Sequence, residues 1–314
     1  MRFYSAAETR EQLAFAPLID ALRAMFAHGC EQPPRQVLEL RGSGGDPVTS
    51  LVMPAWQDDC YGVKVVNIAP GNAARGLPGL HSTYVLYDAS TGVPLAWIDG
   101  DEITARRTAA TAALAASWLA PEGARRLALI GAGRIARLLP AAHRAVRPIE
   151  SVTVWARSPA RAAALVGELA AQGFEARAAA SVEAAVADAD IVDCATLARE
   201  PVVFGRWLRP GSHLDLIGSF APAMREADDA CFAGAALFVD SDDAATKSGD
   251  LIGPIARGIV EVGAIGTLAE LARGRCDGRC VADGNRTVFK SVGSALEDLA
   301  AAMLVHCASS SREA

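Results

Sequence analysis

The residues of this 314-residue chain most suited to chemistry lie in LALIGAGRIARLLP, residues 127–140. Gly131-Ala-Gly133-Arg134-Ile135-Ala136 has the form G-x-G-x-x-A. In that form the first glycine permits a tight turn and the second lets backbone approach a pyrophosphate. The small third residue lets a helix pack against a strand. An apolar run, Leu127 to Ile130, precedes the loop, and an apolar-periodic segment follows it. The spacing predicts strand, turn and helix. The helix N-terminus would offer unpaired N–H groups and a positive dipole end to phosphates. A dinucleotide suits such a loop.

The end of the next strand selects the dinucleotide. An NAD site wants a carboxylate there, to accept from the ribose 2′-hydroxyl. This strand ends VTVWARSPAR and offers Arg157, Ser158 and Arg161 instead. Those groups suit a 2′-phosphate, through charge-assisted hydrogen bonds. NADP(H) is therefore preferred, with NAD(H) as the alternative. Thr196, at the end of DIVDCAT, and Ser219, just past SHLDLIG, are assigned to the cofactor as well.

Three more cations stand in apolar or turn contexts: Arg35 after Pro33-Pro34, Lys64 in YGVKVVN, and Arg107 in ITARRTAATAAL. Singly, each reads as a surface charge or an ion-pair partner. Beside a cofactor domain, they suggest a site for a small carboxylate. The guanidinium fork matches a carboxylate, and a partly buried lysine with a lowered pKa can move a proton. No metal is expected. Cys276 and Cys280 form C-x3-C, but no second pair or nearby histidine completes a zinc site.

These residues need elements to position them. Residues 5–29 read as one helix, with Leu13, Ala16, Leu18, Ile19, Leu22, Met25 and Phe26 at helical spacing. QVLEL, TSLVMPAW, YGVKVVNIA, HSTYVLYDA and VPLAWIDG then read as successive strands, so an antiparallel sheet is expected. An alanine-rich helix runs from Ile103 to Trp118. After Gly123 the strands and helices alternate, which implies a parallel, doubly wound sheet. The last part, RTVFKSVGSALEDLAAAMLVHCA, reads as a strand-like stub and a long helix that packs back on the first domain. The expected class is α/β: a Rossmann sheet at 121–289 plus an α+β substrate and dimerisation domain at 1–120 and 290–314.

Composition narrows the function. With 51% hydrophobic residues the chain can fill two cores. A net charge of −6 without a basic run argues against nucleic acid. No apolar stretch reaches the roughly 18 residues of a membrane span, and MRFYSAAETREQLAF is not a signal peptide. Seven scattered cysteines read as free thiols in a reducing cytoplasm.

Eight segments, in order along nearly the whole chain, resemble the ornithine cyclodeaminase/μ-crystallin family. They are PPR, VMPAW, YGVKVVN, PGLHSTYVLYDASTGVPLAWIDG, ITARRTAATAALAA, LALIGAGRIA, GSFAPAMREAD and VFKSVGSALEDLAAA. The resemblance implies a homodimer built through the N-terminal sheets and an active site in the cleft between domains. It implies that Arg35, Lys64 and Arg107 bind the substrate carboxylate and its surroundings, and that Thr108 touches the cofactor. The family holds ornithine cyclodeaminases, alanine dehydrogenases, cyclic ketimine reductases and a thyroid-hormone-binding crystallin.

The departures choose among them. Where cyclodeaminases carry GDCPGK, with an aspartate near the nicotinamide, this chain has Gly218-Ser-Phe220-Ala-Pro222. Their glutamate two residues before Met-Pro is Leu51 here. A buried ornithine ammonium would lack a carboxylate partner, which costs several kcal/mol. Asp215 and Asp250 are the nearest candidates to compensate. Phe220 and Leu51 instead suit an apolar ring. The expected activity is NADPH-dependent reduction of a small cyclic imino acid of Δ1-pyrroline-2-carboxylate type. Arg35 and Arg107 would hold its carboxylate, Lys64 would contact it, and Phe220 would wall the ring. The rivals are NAD-recycling ornithine cyclodeamination and non-catalytic NADPH-dependent ligand binding.

Overall fold

The computed structural model describes residues 1–41, 47–278 and 285–313. By its contacts the chain divides into two units, Met1–Arg107 with Ser294–Ala314, and Thr108–Gly293. The first unit begins with β1 (Arg2–Tyr4), α1 (Ala6–Gln12) and α2 (Phe15–His28). It continues through β2 (Gln36–Leu40), β3 (Val48–Gln57), β4 (Cys60–Ile68), β5 (Leu80–Asp88), β6 (Pro94–Asp99) and the start of α3 (Gly100–Leu119). The second unit carries β7 (Arg126–Ile130), α4 (Leu139–Arg144), β8 (Ser151–Trp155), α5 (Pro159–Ala171), β9 (Glu175–Ala178), α6 (Val182–Val186) and β10 (Ile191–Cys194). Next come β11 (His213–Leu216), β12 (Ala236–Val239), α7 (Ala244–Lys247), α8 (Gly249–Ala256), β13 (Gly266–Thr267), α9 (Leu268–Ala272) and β14 (Thr287–Lys290). The last helix, α10 (Ala295–Glu313), belongs to the first unit again.

The first unit's sheet has the order β1-β6-β5-β4-β3-β2. From β2 to β6 it is an antiparallel meander, as the succession of strands predicts. β1 pairs in parallel with β6, so the sheet is mixed rather than wholly antiparallel. Its strands alternate. Met53, Ala55, Lys64, Val66, Tyr84, Leu86, Ala96 and Ile98 are buried, and α10 packs against β3 and β4. The residues between them form a second face with Trp56 and Trp97 exposed. On it Phe3 stacks on Trp97 at 6.0 Å and Tyr61 on Tyr87 at 5.5 Å, measured between ring centroids.

The second unit's sheet is wholly parallel, in the order β13-β12-β14-β11-β10-β7-β8-β9. The run from β9 through β7 to β11 has the doubly wound pattern, with the direction of winding reversing between β7 and β10. The apolar run LALI, and IVDC interrupted only by Asp193, suit strands covered on both faces.

Three expectations are corrected. The helix read at 5–29 is two helices, because Pro17 has no N–H for the Leu13 carbonyl; Arg106 Nε takes that carbonyl instead, at 2.6 Å. The helix read directly after the glycine loop begins only at Leu139. Pro140 cannot bond back to Ala136, so residues 134–138 are turns. The stub RTVFK is β14, inserted between β11 and β12 in the second unit's sheet. Among the described residues no helix is long and apolar enough to cross a membrane. Cys280 lies outside the described residues.

Candidate functional site

Two groups of residues carry chemistry, one in each unit. In the first unit Lys64, on β4, is almost wholly buried. Its Nζ lies 2.5 Å from Asp298 Oδ2 and 3.4 Å from Thr104 Oγ1. Arg107, on α3, donates from Nε to Asp298 Oδ1 at 3.0 Å and from NH1 to Glu297 Oε2 at 2.7 Å. One aspartate thus bridges both cations. Glu297 is fixed by its place at the start of α10. Its Oε1 accepts from the Ser294 N–H at 3.1 Å and from the Ser294 hydroxyl at 3.0 Å. Two cations and two carboxylates share this interior. Burial lowers the Lys64 ammonium to about 8; Asp298 resists the shift and Arg107 adds to it.

Arg35 is half-buried and takes no part in this network. Register places it nearby. Gln36 pairs with Val52, so Arg35 falls beside Met53, and Met53 pairs with Lys64. Tyr84 stands opposite Lys64 on the other side, with its hydroxyl buried. Burial, and then the charge of Asp298, push the Tyr84 phenol well above its usual range.

In the second unit all strands run parallel, so the loops at their C-terminal ends share one edge. That edge brings together Arg157, Ser158 and nearby Arg161 after β8, Gly131 to Ile135 after β7, Thr196 after β10, and Ser219 and Phe220 after β11. Gly131 has φ +122, and a Cβ there would lie 2.5 Å from the Ala195 carbonyl oxygen. Only glycine fits. At Gly133 a Cβ would meet nothing within 4 Å, so the residue faces open space. A turn that demands glycine for packing, followed by one that leaves backbone bare to solvent, fits a dinucleotide's pyrophosphate. Arg157 and Arg161 are exposed where a ribose phosphate would be read, while Ser158 caps α5 by accepting from the Arg161 N–H. Thr108, the first residue of this unit, is half-buried on α3.

Behind the edge lie buried acidic residues: Asp215 and Asp250, which the sequence offers as candidates, and Glu226, which it does not. Glu226 Oε1 accepts from Thr196 N–H and Oγ1–H, each at 2.7 Å, and Oε2 accepts from Gly218 N–H at 2.6 Å. Asp250 Oδ1 accepts from the N–H groups of Glu226 and Ala227, at 2.8 and 3.0 Å. Its Oδ2 lies 3.7 Å from Lys290 Nζ. Asp215 is buried in register with Asp193, which bonds His143 Nε2 at 2.8 Å. Burial first, and then the charge of Asp193, push the Asp215 carboxyl well above its usual range. Neither Asp215 nor Asp250 has any exposed surface. The two carboxylates that could have replaced the missing cyclodeaminase aspartate are therefore not presented to a ligand.

Among the described residues no group of three or more His, Cys, Asp or Glu could hold a metal. A cavity of about 340 Å³ lined by Gly123, Arg125, Arg126 and Glu150 lies at the opposite, N-terminal edge of the parallel strands. Its charges pair with one another, Arg126 with Asp190 at 2.9 Å, and it lines none of the residues above. Of the carboxylates missed in the sequence, Glu297 had a signal, the Ser-x-x-Glu of a capping box. Asp298 and Glu226 had none, since a carboxylate in SALEDL or READ reads as solvated.

A Δ1-pyrroline-2-carboxylate reductase of Paracoccus denitrificans is 40% identical over 304 residues, covering 95% of this chain and 94% of the relative. A ketimine reductase mu-crystallin of Rattus norvegicus is 35% identical, covering 97% and 96%. The structure of Thermococcus litoralis Δ1-pyrroline-2-carboxylate reductase, in complex with NADH and L-proline, superimposes with a TM-score of 0.92 at 32% identity, covering 100% of this chain and 98% of that one. Residues 2–313 match the sequence pattern of one family throughout, and the chain belongs to it: the ornithine cyclodeaminase/mu-crystallin family.

Proposed function

We propose that this protein is an oxidoreductase acting on C=N bonds, and more narrowly an NADPH-dependent reductase of small cyclic imino acids of the Δ1-pyrroline-2-carboxylate type. One observation carries the choice of substrate. Phe220 is 42% exposed at the edge where family cyclodeaminases present an aspartate, while Asp215 and Asp250 are both sealed inside. An apolar wall suits a ring, and a diamine would find no partner for its second ammonium.

The nicotinamide, when bound, supplies the hydride. Gly131 and Gly133 shape the turn that receives its pyrophosphate, with Arg134, Ile135, Thr196, Ser219 and Thr108 as further contacts. Arg157, Ser158 and Arg161 receive the 2′-phosphate. Arg35 and Arg107 attract the substrate carboxylate. Lys64 holds a proton at the ring nitrogen, which must be protonated for C2 to accept hydride. Asp298 keeps the Lys64 ammonium charged near neutrality, against the effect of its burial. The working form is a homodimer in the cytoplasm, joined through the aromatic face of the first unit's sheet.

The test follows NADPH absorbance with pyrroline-2-carboxylate and piperideine-2-carboxylate, with ammonia release from L-ornithine plus NAD run in parallel. Oxidation of NADPH by either ring, weakened by Phe220→Asp, is expected. Ammonia release near or above about 1 per second, the low end for ordinary enzymes, would overturn the substrate reading. For the cofactor, Arg157→Ala removes one charge-assisted contact. It should raise the KM for NADPH by about ten-fold or more and leave that for NADH nearly unchanged. Equal wild-type affinities for the two cofactors would overturn the NADPH preference.

A further inference from the structure

We propose that Glu226 is the positioning residue for the nicotinamide half of the cofactor, acting by clamping the loop after β10 to the loop after β11. This rests on the dinucleotide reading above. Three donors from two separate loops converge on its one carboxylate: Thr196 N–H, Thr196 Oγ1–H and Gly218 N–H, all within 2.7 Å. The loops touch as well. A Cβ on Gly218 would collide with the Thr196 carbonyl.

Glu226 is itself held from behind. Its N–H donates to Asp250 Oδ1, and its carbonyl accepts from Val202 and Val203 at 2.8 and 2.9 Å. Asp250 lies near Lys290, and Lys290 Nζ donates to the Leu216 carbonyl at 2.8 Å, at the last residue of β11. The clamp is thereby tied to the strand whose loop it fixes. Two carboxylates and one ammonium without exposed surface are a costly way to hold a loop; apolar packing of equal volume usually serves stability as well or better. What a carboxylate adds is several acceptor sites at fixed angles.

The position gives this fixity a purpose. In a doubly wound sheet the first half, β7 to β9, receives the adenosine part, as the place of Arg157 after β8 indicates. The second half, opening with β10 and β11, then receives the nicotinamide part. Leu197 follows Thr196, Phe220 lies two residues past Gly218, and both hold apolar side chains in solvent, 77% and 42% exposed. Clamping Thr196 and Gly218 fixes where those two side chains stand, and so the wall against which the nicotinamide ring rests.

Glu226→Gln keeps the shape but turns one acceptor into a donor that faces an N–H. Binding of NADPH and of 2′-phospho-ADP-ribose, which lacks the nicotinamide nucleoside, is followed by tryptophan fluorescence, with Tm recorded for each protein. NADPH should bind at least about ten-fold more weakly to the variant, because a lost acceptor leaves a buried loop donor unpaired. Binding of 2′-phospho-ADP-ribose should change less than about two-fold. The primary isotope effect with 4-deuterated NADPH should rise, because a looser nicotinamide slows hydride transfer itself. Thr196→Val, which removes only the hydroxyl donor, should show the same split at smaller size and serves if Glu226→Gln does not fold. Equal weakening of both ligands, or of neither, in the folded variants overturns the clamp. A wild type that binds neither ligand overturns the dinucleotide reading and the clamp with it.

Discussion

Lys64 gives the residue scale its pH signature. Its ammonium titrates at about 8 in the folded protein, against 10.5 for a free lysine. Between those two values the unfolded chain binds more protons, so the Lys64 contribution makes stability rise with pH there; below about 8 both states are charged and the burial penalty is full. Urea midpoints of the wild type and Lys64→Met across that window check the sign. If Lys64 supplies the ring proton, kcat/KM for imine reduction falls as pH rises through about 8. Asp298→Asn removes the charge that raises the Lys64 pKa, so the falling limb moves to lower pH. Breaking the buried pair also lowers stability, by about 3 kcal/mol. A limb that stays in place would remove Lys64 from the proton step. Lys64 and Arg107 were readable in the sequence because a cation amid apolar residues is conspicuous. Their counter-charges were not, since nothing local to SALEDL says that Glu297 and Asp298 point inward.

At the scale of elements, the glycine loop makes a two-sided prediction. Gly131→Ala forces a side chain into a φ of +122 and against the Ala195 carbonyl, so it should lower Tm and abolish cofactor binding together. Gly133→Ala meets nothing in the free protein. It should leave Tm within about 1 °C, since a surface change free of strain is worth only a few tenths of a kcal/mol. It should nonetheless weaken the dinucleotide by about ten-fold or more, because the methyl stands where the pyrophosphate approaches. Calorimetry with and without NADPH separates the two; equal Tm losses would mean that Gly133 is structural. The loop was readable because steric demand leaves a mark on composition. β1 was not, since three residues show no period, and the RTVFK stub hid its partners because a short apolar run does not name its neighbours.

The whole molecule leaves an aromatic sheet face uncovered in one copy of the chain, with Phe3 64%, Trp97 41% and Trp56 39% exposed. The proposed homodimer would cover it. Light scattering should give about twice the 32.6 kDa chain mass, and Trp97→Glu should give a single-chain mass and a lower Tm. A single-chain mass for the wild type at micromolar concentration would remove the dimer. The order in which the chain is laid down has its own effect. β14 fills the slot between β11 and β12 in one unit, and α10 packs on β3 and β4 and supplies the two carboxylates of the other. Both come from Thr287 onward. A ribosome delivers them after the rest of these two units, so each half of the nascent chain waits with an open slot or unpaired buried cations until they emerge. Stalled chains ending before Thr287 should be digested quickly by a protease in both halves, and chains extended past α10 should resist it. Premature termination would then yield no half-working fragment, only a chain for the cell's chaperones and proteases to clear.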